Sequence, residues 1–250
     1  MVEVEPVVDA PAATAVIDDR LLLLIADYHA GIELGFRYRD GLHMESRSRQ
    51  RRERLLDLAD RTSADEIVIL GDAMHSIGDP AYAERDELET LVEALPAQVE
   101  LSVVKGNHDG ELEQWLPEAT VYDAPGIVID GLGLSHGHTW PPVEALEADV
   151  LVIGHEHPRV RLADSVGGTD VRRVWLRGRI DGGYIAEHLG VDSPGSPPDL
   201  VVMPAFNELS GGTWINLEGE SFLVPYLPDG LTEPEVYLLD GTLLGTQLVA

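Results

Sequence analysis

Five short blocks of chemically capable residues punctuate the chain: Asp27-Tyr28-His29, Gly71-Asp72-Ala73-Met74-His75, Gly106-Asn107-His108-Asp109, His136-Gly137-His138 and Gly154-His155-Glu156-His157. Seven of the nine histidines fall inside them, leaving His43 and His188 outside. The donors on offer are carboxylate, imidazole and one amide oxygen, with no cysteine in the chain. That hard-to-borderline N/O set suits Mn, Fe, Zn or Ni rather than a thiolate cluster. Roughly seven ligands are too many for one tetrahedral ion. A carboxylate shared by two ions, with a water of lowered pKa between them, is the arrangement that makes a nucleophile for phosphate esters.

Each block closes or immediately follows a short apolar run, which is where α/β enzymes place polar groups that converge on one crevice. Residues 21–25 are continuously apolar, as are 67–70 and 150–153. Such runs read as strands buried on both faces, and the β-α-β spacing implies parallel pairing. Within Asp27-x-His29 and His155-x-His157 the i, i+2 spacing points both side chains to one side. Gly71 permits a sharp exit, and Asp72, central in the order of blocks, is the natural bridging carboxylate, with His75 three residues on. Asp109 is placed to orient an imidazole or a loop amide.

Other elements follow from pattern. Residues 14–17 and 21–26 read as a hairpin entry, 31–41 as loop, 44–62 as a helix, and 80–95 as an acidic helix with an apolar stripe. Strands are expected at 120–122, 127–129, 132–134, 159–162, 171–176, 201–204 and 213–216, with a hairpin over 236–245. A short helix is expected at 142–148, and a Gly/Pro/Ser-rich surface insertion at about 182–199. Arg37, Arg39, Arg47, Arg49, Arg51, Arg52, Arg54 and Arg61 crowd one region. They form either a phosphate-backbone contact surface or, the preferred reading, a solvated face balanced by Glu45, Glu53, Asp57 and Asp60.

The 250 residues, 44% of them apolar, suit one α/β domain with or without a small appendage. The 45 acidic residues against 17 basic ones give a net charge of -28, and Lys105 is the only lysine. An acidic, lysine-poor surface stays soluble in molar salt, where the Debye length shrinks to about 3 Å, so a halophilic source is expected. An ordinary acidic cytosolic protein is the alternative. The absence of cysteine fits an intracellular setting. The first twenty residues lack a basic leader region and no early apolar run is long enough for a bilayer, so a soluble, cytoplasmic protein is expected.

With D-x-H, G-D-x-x, G-N-H-D, H-G-H and G-H-x-H in order over residues 27–157, the chain resembles the calcineurin-like metallophosphoesterases. A metallo-β-lactamase-type site is the rival for H-x-H, but neither H-x-H here is followed by Asp-His. His75 makes the second block G-D-x-x-H, similar to the SbcD-type DNA-repair nucleases, whereas protein phosphatases of the superfamily show G-D-x-x-D-R-G. Purple acid phosphatases place a tyrosine ligand where Met74 or His75 stands. The segment Pro204-Ala205-Phe206-Asn207 with Gly211-Gly212 and Asn216 resembles the archaeal SbcD-related phosphoesterases, whose bacterial relatives accompany a DNA ligase.

The resemblance implies an α/β, two-sheet α-β-β-α sandwich forming one domain over 1–250, with 200–250 completing the second sheet. It assigns one divalent ion to Asp27, His29, Asp72 and His157, and a second to Asp72, Asn107, His136 and His155. Manganese is the first choice, with Fe, Zn or Ni accepted. A hydroxide between the ions would attack phosphorus in line. His108, not a ligand, would steady the transition state or protonate the leaving alkoxide, and His75 would help fix the substrate. Asp109, His138 and Asn207 would stand behind the ligands or face the substrate.

The implied activity is hydrolysis of phosphate esters, with diesters favoured. An SbcD-like DNA nuclease is second, because -28 argues against a cationic groove and the chain lacks room for a capping region and a partner-ATPase attachment. A non-catalytic binding scaffold is third. No membrane partner is implied, and the oligomeric state is open.

Overall fold

The computed structural model describes residues 1–42, 44–78, 81–163, 167–193, 195–246 and 248. Its first sheet is built from the apolar runs of the N-terminal half. β1 (Val4–Pro6), β2 (Ala13–Ile17), β3 (Arg20–Ala26), β4 (Glu66–Leu70), β5 (Glu100–Val104) and β6 (Thr120–Tyr122) lie side by side in chain order. β1 to β3 are antiparallel, while β3 to β6 run parallel, with Leu24 beside Val68 and Val68 beside Ser102. The crossovers carry α1 (Ile32–Asp40), α2 (Ser48–Thr62) and α3 (Tyr82–Ala94).

The second sheet holds β7 (Ile127–Ile129), β8 (Leu132–Leu134), β9 (Val150–Ile153), β10 (Arg159–Ala163), β11 (Thr169–Ile180), β12 (Asp199–Val202), β13 (Leu231–Leu238) and β14 (Leu243–Gly245). Its order is β14-β13-β11-β12-β9-β8-β7, with β10 paired to β11. β8, β9 and β12 are parallel neighbours, in register at Leu134, Val152 and Val201. α4 (Gly182–Leu189) packs on the outer face through Ile185 and Ala186.

Strand alternation divides the apolar runs between three cores. Leu22, Leu24, Val68, Leu70, Val150, Val152 and Val201 meet between the sheets. Leu23, Ile25, Ile67 and Ile69 face Leu55 and Leu58 of α2 and Leu88 and Leu91 of α3. Leu151, Ile153, Leu200 and Val202 face α4 and Tyr226. Each buried aliphatic side chain contributes about 1.5–3 kcal/mol, so runs apolar on both faces are what a sheet covered on both sides requires. The result is an α-β-β-α sandwich. No helix among the described residues is long and apolar enough to cross a membrane.

Several expectations are corrected. The expected loop 31–41 is α1: Gly31 and Gly41 sit in left-handed conformations at its two ends, and glycines that look like loop punctuation are its caps. The expected insertion 182–199 opens with α4, capped where the Asp181 carboxylate accepts the Tyr184 N–H at 3.0 Å. Its buried Ile185 outweighs the flexible look of Gly182-Gly183. Residues 213–216 form no strand, although Trp214 bridges to Arg159 and the Asn216 side chain hydrogen-bonds the Arg161 backbone. The helix expected over 44–62 begins only at Ser48, that at 142–148 is a 3-10 turn, Val143–Glu147, and β1 was not foreseen. His43, Pro80 and Pro194 lie outside the described residues.

Three arginines of the arginine-rich stretch pair with carboxylates at the surface. Arg49 meets Glu53 at 2.7 Å, Arg61 meets Asp57 at 3.4 Å and Arg54 meets Glu208 at 3.0 Å. Arg51 departs from that pattern. It is buried, held to Glu87 at 2.7 Å and to Glu33 at 3.1 Å, so one guanidinium joins α1, α2 and α3 beneath the loop that carries His29.

Candidate active site

The five blocks emerge from strand ends that the topology gathers at one edge of the sandwich. Asp27 and His29 follow β3, Asp72 and His75 follow β4, Asn107 and His108 follow β5, His136 follows β8, and His155 and His157 follow β9. Because β3, β4 and β5 are parallel, and β8 and β9 likewise, their carboxyl ends open together. Backbone bonds lock the loops: Asp27 N–H to Gly71 O at 3.1 Å, His29 N–H to Asp72 O at 2.8 Å. Across the sheets, the His155 N–H donates to the Asp27 carboxylate at 3.2 Å, and His136 Nδ1 lies 2.9 Å from Leu70 O.

Glycine is required where the strands turn out. A Cβ on Gly71, whose φ is +74°, would lie 2.2 Å from His136 Nδ1, and one on Gly106 would lie 2.2 Å from Asp72 Oδ1. Asp27, His29, Asp72, His155 and His157 themselves hold positive φ values of 46–64°. Each such residue costs about 1–3 kcal/mol, and five clustered at one site is the pattern of pre-organisation rather than of stability.

The donor atoms fall into groups within 4.8 Å of one another: Asp27, His29 and His157; Asp72, His136 and His155; and His29, His75 and His108. Asp72 joins the first two groups. Its Oδ2 lies 3.7 Å from His29 Nε2, and its Oδ1 lies 3.4 Å from His136 Nε2. Asn107 Oδ1 is 3.3 Å from the same His136 nitrogen. His157 Nε2 approaches Asp27 Oδ1 to 2.8 Å, yet it is buried and makes no aligned hydrogen bond among the described residues.

Burial would raise the Asp27 pKa, but His157 and His136 hold it below the carboxylate range, and His136 and His29 do the same for Asp72. Burial pushes His29 down to about 3 and, with the His136 charge, His155 down to about 4. His136 is buried too, but its bond to Asp72 carries it up to about 9. No lysine or arginine pairs with Asp27 or Asp72 among the described residues. Buried carboxylates of this kind are paired or coordinate metals, and the imidazoles beside them, with burial favouring the neutral form at His29 and His155, complete an N/O donor set that fits divalent ions.

The remaining expected residues take distinct places. His108 is half-buried at the mouth, its Nδ1 bonded to His75 O and its Nε2 3.7 Å from Asp72 Oδ2. The His75 ring stacks on His108 with centroids 5.7 Å apart. His138 packs 5.2 Å from His136 and belongs to none of the donor groups. Asp109 orients loop amides, one of its two expected roles: it accepts the Gly106 N–H at 2.7 Å and the Met74 N–H at 3.1 Å, tying two loops together, and burial pushes its pKa up to about 6. An open cavity of about 780 Å³ is lined by His29, Asp72, His75, Asn107, His108 and His155.

Asn207 is a clamp. Its Nδ2 donates to Tyr28 O at 2.9 Å and His29 O at 3.1 Å, and its backbone N–H reaches Asp27 O at 3.2 Å. Asn207→Ala is expected to lower unfolding stability by about 2 kcal/mol, measured by denaturant titration, because two buried carbonyls lose their donor. Sequence reasoning missed Glu156, fully buried, which accepts the Leu223 and Val224 N–H groups at 3.0 and 2.9 Å. The signal was present, since a residue between two alternating ligands must face the opposite way.

A family model described as the calcineurin-like phosphoesterase superfamily domain matches residues 21–175, a span containing all five blocks. Among solved structures, the chain is similar to nuclease MPE of Pseudomonas putida, with 19% identity, a TM-score of 0.56, and coverage of 95% of this chain and 98% of that one. A second similarity is to YfcE, a phosphoesterase from E. coli, with 19% identity, coverage of 92% and 99%, and a TM-score of 0.40, too low to carry an argument. The first likeness establishes the fold alone. No curated protein matches the chain.

Proposed function

Because the chain belongs to the calcineurin-like phosphoesterase superfamily, and is therefore a metal-dependent phosphoesterase, we propose that it is a dinuclear phosphodiesterase formed by one domain over residues 1–250. Asp27, His29, Asp72 and His157 would hold one divalent ion, and Asp72, Asn107, His136 and His155 the other, with manganese the first choice. The observation that carries this reading is the Asp72 carboxylate, whose two oxygens face His29 on one side and His136 on the other. Bound ions supply Lewis-acid polarisation of the phosphoryl oxygens and a water of lowered pKa.

The chain's own residues do the rest. His108 Nδ1–H donates to the His75 carbonyl, so that in the imidazolium form the Nε2–H, 3.7 Å from Asp72 Oδ2, faces the cavity and would give its proton to the departing oxygen, leaving the neutral Nδ1–H imidazole. The His75 ring, stacked on His108, limits how that imidazole swings and lines the substrate's side of the cavity. Asn207 and Asp109 hold the loops in place from behind.

The charge of -28 supports a high-salt setting, so the assay is run in molar salt. With Mn(II), bis-p-nitrophenyl phosphate is expected to be hydrolysed at least tenfold faster than the monoester, in the manner of a site built for two ester oxygens. Faster monoester hydrolysis would overturn the diester preference, and inactivity with every divalent metal would leave a binding scaffold. Nuclease activity is the second reading, read from single- and double-stranded DNA in the same panel.

A further inference from the structure

Beside the site cavity lies a second groove of about 400 Å³, and the two share His157, Arg159, Glu208, Ser210 and Gly211 along their walls. The space is therefore continuous from the donor groups to the start of β10. Three arginines line the second groove, and two are already engaged. Arg172 meets Asp170 at 2.6 Å. Arg173 donates to Ala205 O at 2.8 Å and Phe206 O at 3.3 Å, with Glu208 at 3.7 Å.

Arg159 differs. Its Nε donates to Gly212 O at 3.2 Å and its guanidinium lies 4.8 Å from the Trp214 ring centre, but among the described residues no carboxylate pairs with it. In a chain with 45 acidic and 17 basic residues, a partly buried cation without an acidic partner is not explained by charge balance. The Ser210 hydroxyl, on the same shared wall, is buried and makes no hydrogen bond among the described residues. A guanidinium fork without a carboxylate partner and a hydroxyl without a hydrogen-bond partner are what an anionic phosphate oxygen pair satisfies.

Resting on the diesterase reading above, we infer that Arg159 and Ser210 form a subsite for a second phosphate, so that the substrate is an oligonucleotide strand cut next to a flanking phosphate rather than an isolated diester. Arg172 and Arg173 along the groove suit contact with a backbone and read no base. The overall negative charge does not oppose this in molar salt, where local cations outweigh the distant field.

The test compares TpT with the same dinucleotide carrying a terminal phosphate, as pTpT and TpTp, in wild-type protein and in Arg159→Gln and Arg159→Lys. Wild type is expected to favour one phosphorylated form over TpT by about tenfold in kcat/KM, with that ratio falling to within about twofold of unity in Arg159→Gln and partly restored in Arg159→Lys. A ratio near unity in wild type, or one that persists in Arg159→Gln, overturns the subsite. If wild type cleaves no dinucleotide, the diesterase reading fails instead, and the subsite is judged by binding alone. Anisotropy of labelled oligothymidylate in chelator is then expected to show about tenfold weaker binding to Arg159→Gln, and equal binding overturns it.

Discussion

Asp72→Asn is expected to reduce kcat/KM on a diester by about 10³-fold or more, roughly 4 kcal/mol of lost transition-state stabilisation, and to lower the bound metal content in parallel. The side chain is buried, 2% exposed, and each of its oxygens faces a different imidazole. Asparagine keeps the shape, and its remaining oxygen still accepts the His108 N–H that Asp72 Oδ1 holds at 3.0 Å. The fold should therefore survive while the charge that both donor groups share is gone. Elemental analysis beside a thermal melt separates the two: full metal content in a folded Asp72→Asn protein would refute a bridging role.

His108→Ala should do the reverse, leaving metal content intact while kcat falls by about 10²–10³-fold on a diester with an alkoxide leaving group. His108 sits outside the two donor groups that contain Asp27 and Asp72, and its anchor is the His75 carbonyl. If its task is to protonate the leaving oxygen, the defect must depend on how badly that oxygen needs a proton. On bis-p-nitrophenyl phosphate, whose leaving group is stable as an anion, the loss should shrink towards tenfold. An equal loss on both substrates would assign His108 to charge stabilisation instead.

The gathering of the five blocks was legible because it depends on local events. An apolar run that stops at Gly71-Asp72 or Gly154-His155 marks both a strand end and a polar exit, and parallel topology brings such exits together. What residue spacing alone does not show is contact across long stretches of the chain, as at Asn207, which only the family resemblance singles out. Asn207 clamps the Tyr28 carbonyl from 179 residues away, and no spacing within its own segment announces that. Arg51 looked like one cation among many, but its partners, Glu33 and Glu87, come from two other helices. The α1 and α4 helices were hidden by the glycines that cap or open them, whose meaning depends on whether Ile32 and Ile185 find a core to enter.

The most direct test counts ions. The 250-residue chain is loaded with Mn(II) in molar salt, desalted, and analysed for metal per protein. Two ions per chain are expected if Asp72 serves both groups of donors, and a saturating value of one or none would contradict the dinuclear site.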